Sequence, residues 1–415
     1  MPETPEQRAR LIRPEGDVQA TWIAQFLLQN DVRRAAQHRM AGGVGQMRVP
    51  ASFLDELCLP LAPAGEQARL AETLDELLSD LDAGVACLER ASEKLKLYRA
   101  SVLKAAVEGS LTAEWRAQHP RSNPASELLK RILAERRRRW EEDQSTKFKA
   151  KGLQPPKNWK TRYKHPAAAD PATLSTLPTG WCWVTVDQIS EVGTGATPNR
   201  GMRERYYDGG SVPWVTSSCV NSPFVTEVSE RVTQHALEEC NLTLYPSGTL
   251  LLAMYGEGKT RGMCTELRIE STTNQAIAAV QAYGEITSYL KIFFAKNYQD
   301  IRRTASCGVQ PNLNLGLVRE VLVPLPPAAE QRAIVEAIED QLSVIDHLEA
   351  DLEAKRMAAH GLRQATLRHA FSGKLVSQDP NDEPASELLK RIAAKREARG
   401  LTAGEPNIRR KPAKG

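Results

Sequence analysis

Residues 56–67 read ELCLPLAPAGEQ, and residues 320–331 read EVLVPLPPAAEQ. A shift of 264 positions lays Glu56, Pro60, Leu61, Pro63, Glu66 and Gln67 on Glu320, Pro324, Leu325, Pro327, Glu330 and Gln331. The same shift carries Gly109 and Leu111 onto Gly373 and Leu375. Farther on, the nine residues PASELLKRI occur at 124–132 and again at 384–392, 260 positions apart (384 − 124). The offset changes only after Leu111, so the segment between the two landmarks keeps one length in both copies.

That segment reads as one long helix. After Glu66, residues Leu70, Leu74, Leu77, Leu81, Leu88, Ala91, Leu95, Tyr98 and Val102 alternate steps of three and four, broken at Gly84, the spacing of a helix that buries one stripe. After Glu330, Ile334, Ile338, Ile345, Leu348, Leu352, Ala359 and Leu362 repeat it. Pro63 and Pro327 precede the helices, where a missing N–H is harmless, and Gly109 and Gly373 follow them, where a positive φ costs little. Each helix is predicted to be roughly 60 Å long at 1.5 Å per residue. Two matched seams predict an antiparallel coiled-coil pair related by a pseudo-two-fold axis. The twin PASELLKRI segments then present equivalent docking surfaces, with Leu128, Leu129, Leu388 and Leu389 as candidates; duplication kept only for packing is the plainer alternative.

With 415 residues, 41% of them hydrophobic, the chain can build two or three cored domains. No apolar run approaches eighteen residues and MPETPEQRAR lacks the layout of a secretion signal, which predicts a cytoplasmic protein with no membrane segment. Seven cysteines without a C-x-x-C pair and seven histidines without ligand spacing predict no metal site.

The expected organisation is a short front segment (1–63), a first helical region (64–150), a linker (151–176), a strand-rich domain (177–327), a second helical region (328–400) and a basic disordered tail (401–415). Residues 151–176 are rich in proline, lysine and alanine and have no period. Just before them stand four arginines, Arg136 to Arg139, either a solvated helix face or a phosphate-contacting one. Residues 177–327 alternate short β-branched runs, CWVTV, VPWVT, TLLLAM and AIAAVQAY, with glycine and proline turns, and helices are expected at 229–240 and 286–303. The fold class is therefore α/β, a mixed α+β domain plus two long helices.

Catalytic motifs fail one by one. GEGKT at 256–260 lacks the first glycine of a phosphate loop, because Ala253 stands there. NSPF at 221–224 approaches the N-P-P-F of amino-methyltransferases, but Ser222 breaks it and no glycine-rich cofactor loop accompanies it. Glu257-Gly258-Lys259 has the E-x-K form of nucleases without an assignable upstream aspartate. The chain is read as non-catalytic, with no catalytic residue of its own.

LPTGWCWVTVDQISEVGTGATPNR, VPWVT, GTLLLAMYGEGKTRG, TTNQAIA and VLVPLPPAAEQRAIVEAI follow one another along residues 177–338. In that order they resemble the target-recognition domain and following conserved helix of the specificity subunit of type I restriction-modification systems. Residues 56–132 resemble the other conserved helical region. The resemblance implies domains that each read half of a split double-stranded DNA site, held apart by antiparallel helices. It also implies two methyltransferase subunits docked on the duplicated helices, with nuclease-translocase subunits joining them. S-adenosylmethionine, ATP and Mg²⁺ then belong to the partners, and this chain binds no cofactor. The front departs from the family pattern: no L-P-x-G-W entry is evident before residue 63. Either a start lies upstream, or the form is shortened, reads one half-site, and dimerises or borrows a reader; a decayed scaffold and a self-contained methyltransferase or nuclease are the rival readings.

The family carries no base-contacting residue over, so candidates rest on chemistry. Tyr255, Lys259, Thr260 and Arg261 lie in a glycine-flanked loop from which a cation can reach phosphate or guanine. Arg200, Arg203 and Arg205 form a second basic loop, and Gln310, Asn312 and Asn314 offer amides suited to adenine. Ordinary loop residues are the bland alternative for each. Against the whole idea, residues 177–327 hold 12 Lys and Arg but 14 Asp and Glu, so any basic face must be concentrated.

Overall fold

The computed structural model describes residues 12–42, 47–170, 174–255, 260–306 and 313–399. Its elements run α1 (Ala20–Leu27), α2 (Asn30–His38), α3 (Ala51–Asp55), α4 (Ala64–Glu108), α5 (Ala113–Gln118), α6 (Ala125–Ala150), β1 (Cys182–Thr185), α7 (Val186–Ile189), β2 (Ser190–Thr194), α8 (Arg203–Tyr206), β3 (Val212–Val215), β4 (Phe224–Val225) and β5 (Glu230–Val232). They continue through α9 (Gln234–Glu239), β6 (Leu250–Ala253), β7 (Cys264–Leu267), β8 (Thr272–Thr273), β9 (Ile277–Ala282), α10 (Thr287–Ser306), α11 (Leu315–Glu320), β10 (Leu322–Leu325), α12 (Ala328–Phe371) and α13 (Ala385–Ala398). The chain divides into two compact units, Met1–Lys94 with Leu348–Gly415, and Leu95–His347. Each unit holds part of α4 and part of α12, the two predicted long helices.

In the first unit, Leu70, Leu74 and Leu78 of α4 share a core with Leu367 and Ala370 of α12 and with Trp22 of α1. The pairing is antiparallel, for Glu66 faces Gly373 and the later Asp82 forms an ion pair with the earlier Arg363. Trp22 and Phe26, one helical turn apart on α1, close on the Phe371 ring at 4.1 and 5.2 Å. The Trp22 indole donates to the Pro60 carbonyl at 2.9 Å.

In the second unit, Val102, Ala106 and Val107 of α4 meet Ile334 and Ile338 of α12 within the large core, and Arg99 forms an ion pair with Asp346. Shifting Asp82 and Arg99 by 264 gives Asp346 and Arg363 (82 + 264 and 99 + 264), so the two ion pairs use equivalent residues. The expected seam needs one revision. Leu77, Tyr98, Leu348 and Leu362 are exposed, whereas Leu78 is buried. Steps of four (70, 74, 78) win because a straight 3.6-residue helix drifts away from a strict 3.5-residue stripe.

Three sheets build the rest of the second unit: β1–β10, the five-stranded β2-β9-β6-β7-β4, and β5-β3-β8. The middle of the large sheet is apolar throughout, β6 (LLLA) being wholly buried, as a strand covered on both faces requires. The antiparallel β1–β10 pair, from Cys182↔Leu325 to Thr185↔Leu322, joins the strand that follows the L-P-x-G-W entry to the strand that leads into the P-L-P-P exit. Just beyond it lies a buried node. The Glu330 carboxylate accepts hydrogen bonds from Thr112 Oγ1 (2.7 Å), Trp181 Nε1 (2.9 Å) and the Arg116 guanidinium.

The helix expected at 229–240 is half strand. Glu230 and Val232 pair with β3, Val232 is buried, and only then does Thr233 start α9 by accepting from the Ala236 amide. The helix expected at 286–303 is α10. The predicted linker doubles back on α6 instead of hanging free. Trp159 stacks on Trp140 at 5.7 Å, Tyr163 meets Trp140 edge-on at 5.3 Å, and Lys160 pairs with Glu141 at 2.8 Å.

Both PASELLKRI copies rest on a Pro-x-Gly turn. Gly180 of 178–180, at φ 88°, accepts from the Ala125 amide of the first copy. Pro14-Glu15-Gly16, with Gly16 at φ 65°, lies against Leu388 and Ile392 of the second. The front of the chain thus carries a Pro-x-Gly turn against the second copy, as residues 178–180 do against the first.

Candidate nucleic-acid interface

The loop from β6 to β7 begins with exposed Tyr255 and ends with half-buried Thr260 and Arg261; Lys259 lies outside the described residues. A tight closure fixes its base: the Gly262 amide donates to the Ala253 carbonyl at 2.9 Å, with Gly262 at φ 85°, a conformation cheap only for glycine. A second segment joins it there, because the Leu313 amide donates to the Met254 carbonyl at 3.2 Å. The next residue, Asn314, caps α11 by accepting from the Leu317 amide at 3.0 Å, so its side-chain oxygen serves the fold; Gln310 and Asn312 lie outside the described residues. The loop of Tyr255 and the segment of Asn314, 59 positions apart (314 − 255), are therefore neighbours.

The three arginines occupy another lobe, around β5-β3-β8, and each already faces a carboxylate. Arg200 pairs with Glu230 at 2.7 Å and lies over the Tyr207 and Trp214 rings at 5.1 and 5.3 Å. Arg203 reaches Asp208 at 3.5 Å. Arg205 grips Glu239 with two hydrogen bonds, its Nε at 2.9 Å, and this fork holds the Glu239 carboxyl down at about 2. Exposed ion pairs exchange partners readily, so a phosphate can compete for these guanidinium groups.

Sequence reasoning missed a third basic group. The half-exposed Phe224 ring carries Lys291 Nζ at 3.4 Å and the Arg268 guanidinium at 4.2 Å, and both cations share Glu266. Burial lowers the pKa of Lys291. Phe224, Arg268 and Lys291 are spread over 67 positions (291 − 224), and only the parallel β4–β7 pairing and the packing of α10 bring them together. No local motif marks the group.

The leucines of PASELLKRI differ from one another. Leu388 is 2% exposed and Leu389 55% exposed, while Leu128 and Leu129 are half-buried against the core of the second unit. Among the described residues, no three His, Cys, Asp or Glu side chains come together as a metal site, and no helix is long and apolar enough to cross a membrane.

Residues 178–355 match the type I restriction modification DNA specificity domain. Over 409 residues the chain is 25% identical to the type I restriction enzyme EcoKI specificity subunit of Escherichia coli (strain K12), covering 94% of this chain and 75% of that one. Over 393 residues it is 24% identical to the EcoDI specificity subunit of Escherichia coli, covering 92% and 78%. Among solved structures it resembles, at a TM-score of 0.58 and 15% identity, a chain from a study of complex assembly and conformational transition in the type I R-M system. That match covers 85% of this chain and 71% of the other. It concerns the fold, including the two long helices.

Proposed function

We propose that the chain is a specificity subunit of a type I restriction-modification system, a non-catalytic component that provides DNA target recognition, and that it reads and assembles as follows. The sheet domain of residues 177–327 reads the DNA word. Its reading edge is the β6–β7 loop of Tyr255, Lys259, Thr260 and Arg261 together with the segment of Gln310, Asn312 and Asn314. The observation that carries this is the Leu313–Met254 hydrogen bond, which ties the residue after β6 to the residue before Asn314 at the end of an apolar sheet. Loops held by such a scaffold can present side chains to base edges in a fixed register. Arg200, Arg203 and Arg205 line a second edge and trade their carboxylates for phosphates.

Assembly uses the equivalent α4 and α12 surfaces and the two PASELLKRI helices for two methyltransferase subunits, with nuclease-translocase subunits joining through them. S-adenosylmethionine, ATP and Mg²⁺ are handled by those partners, in the cytoplasm. Adenine methylation and restriction are thereby directed to a bipartite target.

Mapping methylated adenines in the host genome with and without this chain tests the reading. One sequence motif is expected to lose methylation on deletion and regain it on complementation; an unchanged map sinks the proposal. For the reading edge, Lys259→Ala with Arg261→Ala is expected to weaken DNA binding by the assembled complex and to flatten its salt dependence. Affinity that stays the same across a salt titration removes this loop from the interface.

A further inference from the structure

Residues 177–327 carry 12 Lys and Arg against 14 Asp and Glu, so the sheet domain lacks the net positive charge that drives DNA association. The charge lies just before it. Residues 144–170 contain seven Lys and Arg (positions 147, 149, 151, 157, 160, 162 and 164) and a single acid, Asp170. In a flexible tether that charge would be diffuse. Here the arm is pinned along α6 by Trp159, Lys160 and Tyr163. Its far end is fastened to the sheet domain, where Thr185 Oγ1 donates to the Ala167 carbonyl at 2.8 Å.

Between arm and helix lies an open cleft of about 760 Å³ whose walls include Arg136, Arg139, Arg162, Lys164, Asp143 and Glu191. Most of these charges are already engaged. Asp143 pairs with Lys147 at 2.6 Å, and Glu191 accepts from the Tyr283 hydroxyl at 2.6 Å. Arg136 pairs with Asp187 at 3.1 Å and Arg139 with Glu135 at 2.7 Å. Arg162 and Lys164 are exposed and have no acidic partner among the described residues. Two uncompensated cations stand on the cleft wall, and Lys149 at the end of α6 and Lys151 and Lys157 on the arm add exposed positive charge along the same stretch of chain.

We propose that this arm and cleft clamp the phosphodiester backbone of duplex DNA passing beside the recognition domain, independently of its sequence. The inference rests on the DNA-reading function and supplies the electrostatic affinity that the acidic sheet domain lacks. Phosphate is the ligand chemistry, and the backbone fits better than a free nucleotide because the cleft offers no open aromatic face. Tyr283 is 2% exposed and lies beneath Arg139, Trp140 is stacked against Trp159, and half-buried Tyr163, which also lines the cleft, meets Trp140 edge-on and lies under Arg137. Cations strung along an arm suit a linear polyanion.

The test uses the chain assembled with its methyltransferase partners and two duplexes of equal length, one with the mapped target and one with it scrambled. Binding is titrated between about 50 and 200 mM salt for the parent and for the triple variant Lys157→Ala, Arg162→Ala, Lys164→Ala. Each lost phosphate contact removes roughly 0.9 from the slope of log K on log salt, so the slope is expected to shrink by about two to three. Both duplexes should weaken by the same factor, leaving their ratio as it was. An unchanged slope overturns the clamp, as does a loss confined to the target duplex. Tripolyphosphate or ATP binding that the triple variant abolishes while the DNA slope stays fixed would assign the cleft to free polyphosphate instead. Loss of co-purifying partner in the variant would assign it to an acidic protein surface and likewise end the proposal. A parent complex that prefers neither duplex overturns the functional reading itself; a discriminating parent whose variant keeps its slope overturns the clamp alone.

Discussion

Glu330 is fully buried, and three donors converge on its carboxylate from the turn after α4, from α5 and from the sheet domain's entry. A buried carboxylate survives only when its acceptor capacity is filled, and removing one partner of such a set strands the others. Glu330→Ala is therefore expected to cost about 3–5 kcal/mol, read as a lower denaturant midpoint, and a loss below 1 kcal/mol would contradict the node. Glu239 tests the opposite, exposed case. Its carboxyl is pulled from the ordinary 4.5 to about 2 by the Arg205 fork. Being depressed, it contributes stability above the unfolded value and loses it as pH falls from about 4.5 toward 2. Carboxyl NMR titration should find its midpoint near 2 in the parent and clearly higher in Arg205→Ala; equal midpoints refute the pairing. Burial pushes the Cys264 thiol up to about 12, whereas Cys58 and Cys87 are exposed. Alkylation at pH 8 followed by mass spectrometry should label Cys58 and Cys87 long before Cys264.

Arg99–Asp346 and Asp82–Arg363 offer a comparison available only in a repeated helix pair. Each has one partner that is about two-thirds exposed, so each is worth at most roughly 0.2–1 kcal/mol. Double-mutant cycles with Arg99→Ala, Asp346→Ala and with Arg363→Ala, Asp82→Ala should return coupling energies equal within error, because equivalent residues meet in each unit. Coupling in one pair alone would mean that the two helix contacts are not built alike. The repeat and both long helices were legible because length and apolar spacing are local properties of the chain. Details set by tertiary neighbours were not. Leu78 replaced Leu77 in the seam because helix drift decides which residue faces inward. Glu230–Val232 became a strand because β3 was there to pair with it. At the candidate interface, the β6–β7 loop was readable from its glycines. The role of Asn314 as a helix cap and the Phe224–Arg268–Lys291 group were not, since their partners lie three to 67 residues away with no shared motif. The arm looked like a linker because its anchors, Trp159 and Tyr163, bind to a helix and not to each other.

Across the whole molecule, identical nine-residue segments have come to lie in different surroundings. Each sits on a Pro-x-Gly turn, yet Leu388 is sealed against Gly16 while Leu389, its neighbour, is open to solvent. In the other copy Leu128 and Leu129 lean on the sheet-bearing unit's core. A surface kept for docking must leave apolar side chains uncovered in the free chain, and of these four only Leu389 meets that condition. Leu389→Asp is therefore expected to leave the unfolding midpoint within about 0.5 kcal/mol of the parent and to reduce the methyltransferase partner that co-purifies with the chain. Leu388→Asp, which buries a charge with no partner, is expected to lower the midpoint sharply and to lose the same partner only because the fold beneath it has gone. If Leu389→Asp keeps full partner stoichiometry, the second PASELLKRI serves packing alone, and docking falls to the long helices. If both variants unfold alike, Leu389 is covered in solution, and the difference in exposure on which this argument stands does not exist.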